Sequence, residues 1–276
     1  MSHCFILQHD AAFGPGRIIP VLRDFGIPSR IFRIDQGDPV PDDFDEARMV
    51  VLLGGPQRAA DDAGDDRPAW IEQEISAIRP LVEADRPVLG FGLGAQILAR
   101  AAGANVVPNT KPAKPGETGE PAPFYGWAPL RLPFPGGTDP LLFGLREGSP
   151  MFFWHKDTFE LPKLPPPPGY DPNKPGPPPP TGSVLLASAG HCRNAGFKFK
   201  DRLYGFQFHP ELDRGEFDRI FQEHAGMPGA VFGSGEIDRI RQNTDKHFAE
   251  YERLGQRLLV NFVQFFKAYN PTGVKA

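Results

Sequence analysis

Pro87-Val88-Leu89-Gly90-Phe91-Gly92-Leu93-Gly94-Ala95-Gln96 joins a short apolar run to a glycine-spaced turn and then to residues that can begin a helix. An apolar run of strand length suits a strand covered on both faces, and the glycines permit a sharp exit from it. The spacing that follows predicts a helix over Ala95 to Ala102. Such strand–turn–helix junctions are where α/β folds place ligands and nucleophiles.

Working outward, the same alternation recurs. Cys4-Phe5-Ile6-Leu7, Arg30-Ile31-Phe32-Arg33 and Met49-Val50-Val51-Leu52-Leu53 read as strands, the last ended by Gly54-Gly55-Pro56. Between them, Gly14 to Phe25 carries Ile18, Ile19, Leu22 and Phe25 on one helical face, and Trp70 to Ala84 carries Ile71, Ile75, Ile78 and Val82. Strands alternating with amphipathic helices predict a mostly parallel sheet crossed over by helices. Tyr125 to Leu132 and Val184 to Phe208 read instead as antiparallel strands. From Glu211 to Tyr269 the chain reads as helices separated by the Gly-rich stretch Ala225 to Gly235. Leu258, Leu259, Phe262, Phe265 and Phe266 give the last helix an apolar face. One domain over 1–276 is expected.

Leu161 to Pro180 holds eleven prolines and two glycines, which excludes helix and central strand there. The segment is a solvated loop insertion or an extended docking arm. With 276 residues, 40% hydrophobic and 23% charged, the chain can bury a sizeable core. A net charge of −4 gives no footprint for nucleic acid, and no apolar run is long enough to span a bilayer. The N-terminus has no export-signal pattern, and Cys4 and Cys192 cannot make a disulfide framework, so a cytoplasmic setting is expected.

Three separated stretches carry the chemistry: Gly90 to Gln96, Gly54-Gly55-Pro56, and Gly205-Phe206-Gln207-Phe208-His209-Pro210-Glu211. Together they resemble class I glutamine amidotransferases, which carry G-x-C-x-G-x-Q at the nucleophile turn, a G-G-P loop and G-x-Q-F-H-P-E at the base. Trp154-His155-Lys156-Asp157 is similar to a W-H-x-D stretch of the GMP-synthase-like branch. Ala195-Gly196-Phe197 with Tyr204 resembles the family's approach to its histidine strand. The resemblance implies a flavodoxin-like three-layer α/β sandwich, with a mostly parallel central sheet and an antiparallel extension.

It also implies roles. In the family a thiolate attacks the glutamine side-chain amide, giving a γ-glutamyl thioester and ammonia. By resemblance His209 is the base, Glu211 orients it, the N–H groups of Gly55 and Leu93 form the oxyanion hole, and Gly54 and Gln96 complete the substrate side. The departure is at the nucleophile, because the cysteine position holds Gly92. Two readings follow: a protein without glutaminase activity that binds a ligand or partner, or a glutamine-hydrolysing enzyme of the GMP-synthase-like branch whose cysteine was replaced at 92. Glutamine or a related small amide or acid is the candidate ligand, and a synthetase or ligase the candidate partner. No cofactor or metal is expected, since His155-x-Asp157 and His191-Cys192 fall short of a metal-site pattern.

Overall fold

The computed structural model describes residues 2–60, 62, 64, 67–111, 119–167, 170, 181–224 and 235–270. A seven-stranded sheet has the order β2-β1-β3-β4-β11-β10-β9. Its strands are β1 (His3–Gln8), β2 (Ser29–Arg33), β3 (Ala47–Leu52), β4 (Val88–Phe91), β9 (Ser183–Ala189), β10 (Cys192–Phe199) and β11 (Leu203–Phe206). From β2 to β11 every pairing is parallel, whereas β11–β10 and β10–β9 are antiparallel. The expected parallel sheet with an antiparallel extension is therefore present. Within Val184–Phe208 the last strand differs from expectation, because β11 is antiparallel to β10 but parallel to β4. Its partner on that side comes from more than a hundred residues upstream, which no local pattern encodes.

Alternation along the strands builds the layers. Cys4, Ile6, Met49, Val51, Leu89 and Phe91 face one core, shared with α1 (Ile18–Asp24), α4 (Arg214–Glu223) and α5 (Glu236–Phe266). Phe5, Leu7, Val50, Leu52 and Val88 face the other, shared with α2 (Ala69–Glu83) and α3 (Leu93–Ala101). This is a three-layer α/β sandwich of the flavodoxin-like kind. Two further pairs lie outside the main sheet: β5 (Val106–Pro108) with β8 (Asp157–Phe159), and β6 (Phe124–Pro129) with β7 (Pro150–His155).

Helix limits depart from the sequence reading at two places that shape the site. The first helix starts at Ile18 rather than Gly14, because Arg17 turns its backbone N–H to Glu211 O at 3.0 Å. The helix after β4 starts at Leu93, two residues earlier than expected, so Gly92 alone makes the turn. At the other end of the Pro-rich segment, Leu161 and Leu164 pack against the second core, and Leu164 N–H donates to Thr181 O at 2.8 Å. Residues 168, 169 and 171–180 of that segment, and 225–234 of the Gly-rich stretch, lie outside the described residues. Among the described residues no helix is long and apolar enough to cross a membrane.

Candidate functional site

Three neighbouring parallel strands, β3, β4 and β11, end side by side, and the residues that leave them converge. The chain exits β3 as Leu53-Gly54-Gly55, β4 as Gly92, and β11 as Gln207 to Glu211. Gly94 N–H donates to Leu53 O at 3.0 Å and Gly92 N–H to Phe206 O at 2.8 Å, which locks the three exits together. Gly92 sits at φ 50°, ψ −114°, a backbone that strains any side chain, and glycine adopts it without that cost.

His209 points into this junction. Its Nδ1–H donates to Glu211 Oε1 at 2.8 Å, both side chains are fully buried, and the backbone N–H of His209 donates to Phe152 O at 2.9 Å. A carboxylate on Nδ1 fixes the ring and presents Nε2 for proton transfer. Nε2 is buried and has no hydrogen-bond partner among the described residues, and Glu211 Oε2 is in the same condition. The imidazole lies directly over Gly92: a Cβ built there would stand 2.6 Å from His209 Cε1 and 2.8 Å from Nε2. A Cβ at Gly54 would likewise run into His209 Cε1. Both glycines are thus required by the ring's present position. Beside them Gly55 faces Leu93, whose Cδ2 would lie 3.2 Å from a Cβ at 55. Leu93 opens α3, where backbone N–H groups have no partner within the helix.

Gln96 is buried and its Nε2 donates to Asp157 O at 3.0 Å. The same carbonyl accepts Gln207 Nε2 at 2.8 Å and His155 Nδ1 at 2.9 Å. The Asp157 carboxylate takes Arg58 in a fork, with Nε–Oδ2 at 2.8 Å and Nη2–Oδ1 at 2.6 Å. Asp157 therefore ties the segment after the glycine loop to α3, β7 and the His209 strand. Such bidentate pairs are among the stronger polar contacts. The sequence pattern set His155 and Asp157 aside only as metal ligands, and it carries no local signal for the roles of Arg58 and Gln207.

Burial lowers the His155 pKa to about 3; its bond to Asp157 opposes this, while His209 and His191 add to it. His155 is thus neutral when folded and protonates at its ordinary value near 6.5 when unfolded. That difference supplies stability above pH 6.5 that is lost as pH falls toward 3. At 1.36 kcal/mol per unit, about 2 kcal/mol disappears by pH 5. His155→Asn keeps a donor for Asp157 O and cannot titrate. Urea unfolding at pH 7 and pH 5 should show that the variant loses about 2 kcal/mol less than the unaltered protein on acidification.

Two supports lie behind the glycine loop and the histidine. His9 Nε2 meets Glu74 Oε2 at 2.8 Å and its Nδ1 meets Leu53 O at 2.9 Å; both side chains are fully buried. Both nitrogens face acceptors, so both carry hydrogen. Burial opposes the charge, but the Glu74 carboxylate and the bonds to it and to the Leu53 and Gly54 backbone outweigh it, raising the His9 pKa. On the other side, the hydroxyl of fully buried Tyr251 on α5 donates to His209 O at 2.7 Å and reaches Leu212 O at 3.1 Å.

Neither cysteine joins the site. Cys4 pairs with Met49, which precedes the Val50–Val88 pair, so Cys4 lies level with Pro87. That is five residues short of Gly92, or about 16 Å along the strand. Cys192 lies on β10, beyond β11 from Gly92, and burial pushes its thiol up to about 12 despite a contact with Thr158.

Residues 16–225 match the family model described as glutamine amidotransferase class-I. Over 91% of both chains, the protein is 25% identical to the glutamine amidotransferase-like protein YfeJ of Salmonella typhimurium. It is 30% identical to a glutamine-hydrolyzing GMP synthase of a Synechococcus species, over 60% of this chain and 24% of that one. The chain therefore spans about a quarter of the GMP synthase's length. In structure it is similar to a glutamine amido transferase from Methylobacillus flagellatus, with a TM-score of 0.73, 23% identity and 96% coverage of each chain. A Thermotoga maritima glutamine amidotransferase gives 0.71 at 19% identity, again over nearly the whole of both chains. With most of its length inside the matched region, and three motif-bearing strand ends meeting at one point, the chain belongs to the class I glutamine amidotransferase family.

Proposed function

We propose that this protein retains the class I amidotransferase scaffold, does not hydrolyse glutamine by the thiol route, and acts as a binding or partner subunit. Gly92 stands at the nucleophile position, His209 at the position of the base and Glu211 at that of its orienting carboxylate. Gly55 and Leu93 supply the N–H pair of the oxyanion hole, with Gly54 and Gln96 beside it. The covalent route needs a sulfur at 92 to form the thioester and expel ammonia. Glycine has none, and the two thiols of the chain are buried elsewhere.

The observation that carries this reading is the position of the imidazole. His209 occupies the space in which any side chain at 92 would begin. A site arranged around a working thiol would keep that space open; here the base rests on its vacancy. Glutamine or a related small amide or acid is the ligand that the remaining groups suit, and a synthetase or ligase is the partner in keeping with the GMP synthase relatives.

His209→Asn provides the test. Without a nucleophile the histidine has nothing to activate, so the variant and the unaltered protein should release ammonia from glutamine at the same background rate. A clear fall in the variant would show that His209 drives hydrolysis by another route and would overturn the proposal.

A further inference from the structure

A cleft between α1 and α5 contains a buried cation that is only partly satisfied. Arg17, immediately before α1, is 6% exposed. Its Nη1 donates to Pro210 O at 2.8 Å, and its guanidinium lies 4.8 Å from the Tyr251 ring centroid. Nη2 differs: it is buried and has no hydrogen-bond partner among the described residues. The Glu252 carboxylate stands off at 3.9 Å, on a side chain that is 57% exposed. Buried donors of charged groups are normally satisfied, so a bare one calls for an acceptor.

Arg17 lines a cavity of about 570 Å³, together with Pro20, Asp213, Glu252, Arg253 and Gln256. That volume suits a small molecule. Arg253 is exposed and makes no ion pair among the described residues. Of the two carboxylates in the wall, Asp213 is engaged by Glu216 N–H at 3.0 Å as the cap of α4. Glu252 is the exposed one, 3.9 Å in front of Nη2.

We propose that this cleft binds a small anion bearing a carboxylate or phosphate, which displaces Glu252 and bridges Arg17 Nη2 and Arg253, with the Gln256 amide as a further donor. Guanidinium forks match both anion types in geometry. The site is wired to the His209 loop. Arg17 Nη1 grips the carbonyl of Pro210, the residue between His209 and Glu211. Gly255 of α5 permits the approach, since a Cβ there would collide with Pro210 O and come 3.0 Å from Arg17 Nη1. Any anion that draws on Arg17 therefore acts on the segment that carries His209 and Glu211.

Inorganic phosphate and succinate, each against chloride at matched ionic strength, distinguish the two anion types. At least one should raise the melting temperature saturably and shift the His209 ring resonances in NMR. Removing the competing carboxylate in Glu252→Gln should tighten that anion several-fold, and Arg253→Gln should weaken it about tenfold. Both changes are on exposed side chains and leave the buried Arg17 in place. No saturable effect of either anion on the unaltered protein or Glu252→Gln would overturn the site, as would unchanged affinity in Arg253→Gln. Binding without movement of the His209 resonances would overturn the coupling.

Discussion

Replacing Gly92 by cysteine should create glutamine hydrolysis on the order of 10⁴-fold above the background of the unaltered protein. Loss of a nucleophile from a nucleophile–base unit costs roughly 10⁶ in turnover, because the other members act only through it. Introducing a thiol at 92 does not gain all of this. The new Cβ would fall 2.6 Å from His209 Cε1, so the imidazole must give way before Sγ and Nε2 can meet in line. A displacement of about 1 Å can forfeit roughly 10² in rate. The ring is braced by Glu211 and packs 5.1 Å from Phe13 and 6.5 Å from Phe152, centroid to centroid, so it yields against resistance. The same crowding, with the positive φ at 92, should lower the variant's stability by about 1–3 kcal/mol. Ammonia release and urea unfolding on one preparation check both halves. Adding His209→Asn to the variant should abolish the gained activity, whereas in the unaltered background it changes nothing.

Replacing Glu74 by glutamine should cost about 3–5 kcal/mol of stability. Glu74 is fully buried on α2 and pairs with a fully buried His9 whose second nitrogen is engaged by Leu53 O. Without the carboxylate, His9 must either keep an unpaired charge in the core or give up its proton. His9 also stacks on Trp70 at 5.1 Å, so it cannot turn away without loss of packing. The consequence reaches the site, because the carbonyl His9 holds belongs to Leu53, which leads into Gly54 and Gly55. Chemical denaturation at pH 7 gives the magnitude. Hydrogen exchange should show the amides of the glycine loop opening first. A loss under about 1 kcal/mol would mean that the pair contributes little.

How far the sequence could be read depended on whether a residue's partner was local. The strand Met49–Leu53 and the junction at Gly90 to Gln96 were legible, because apolar runs and glycine turns express themselves within ten residues. The start of α1 was misplaced by four residues, because Arg17 is held out of the helix by Glu211, almost two hundred residues away. The parallel face of β11 was hidden for the same reason. At the site, the seven residues ending in Glu211 announced themselves as a motif, while Arg58, His9 and Tyr251 act through partners far along the chain. Glu74 did leave a trace: it falls on the apolar stripe of Ile71, Ile75 and Ile78, where a carboxylate needs a buried partner. The sequence shows glycine at 92, but only the fold reveals that the His209 imidazole occupies the space a side chain there would need.

Glutamate production from glutamine by the unaltered protein, with glycine at 92 verified by intact mass, tests the central claim most directly. The expected rate is indistinguishable from buffer. Sustained turnover well above that background, in protein of the verified mass, would contradict it.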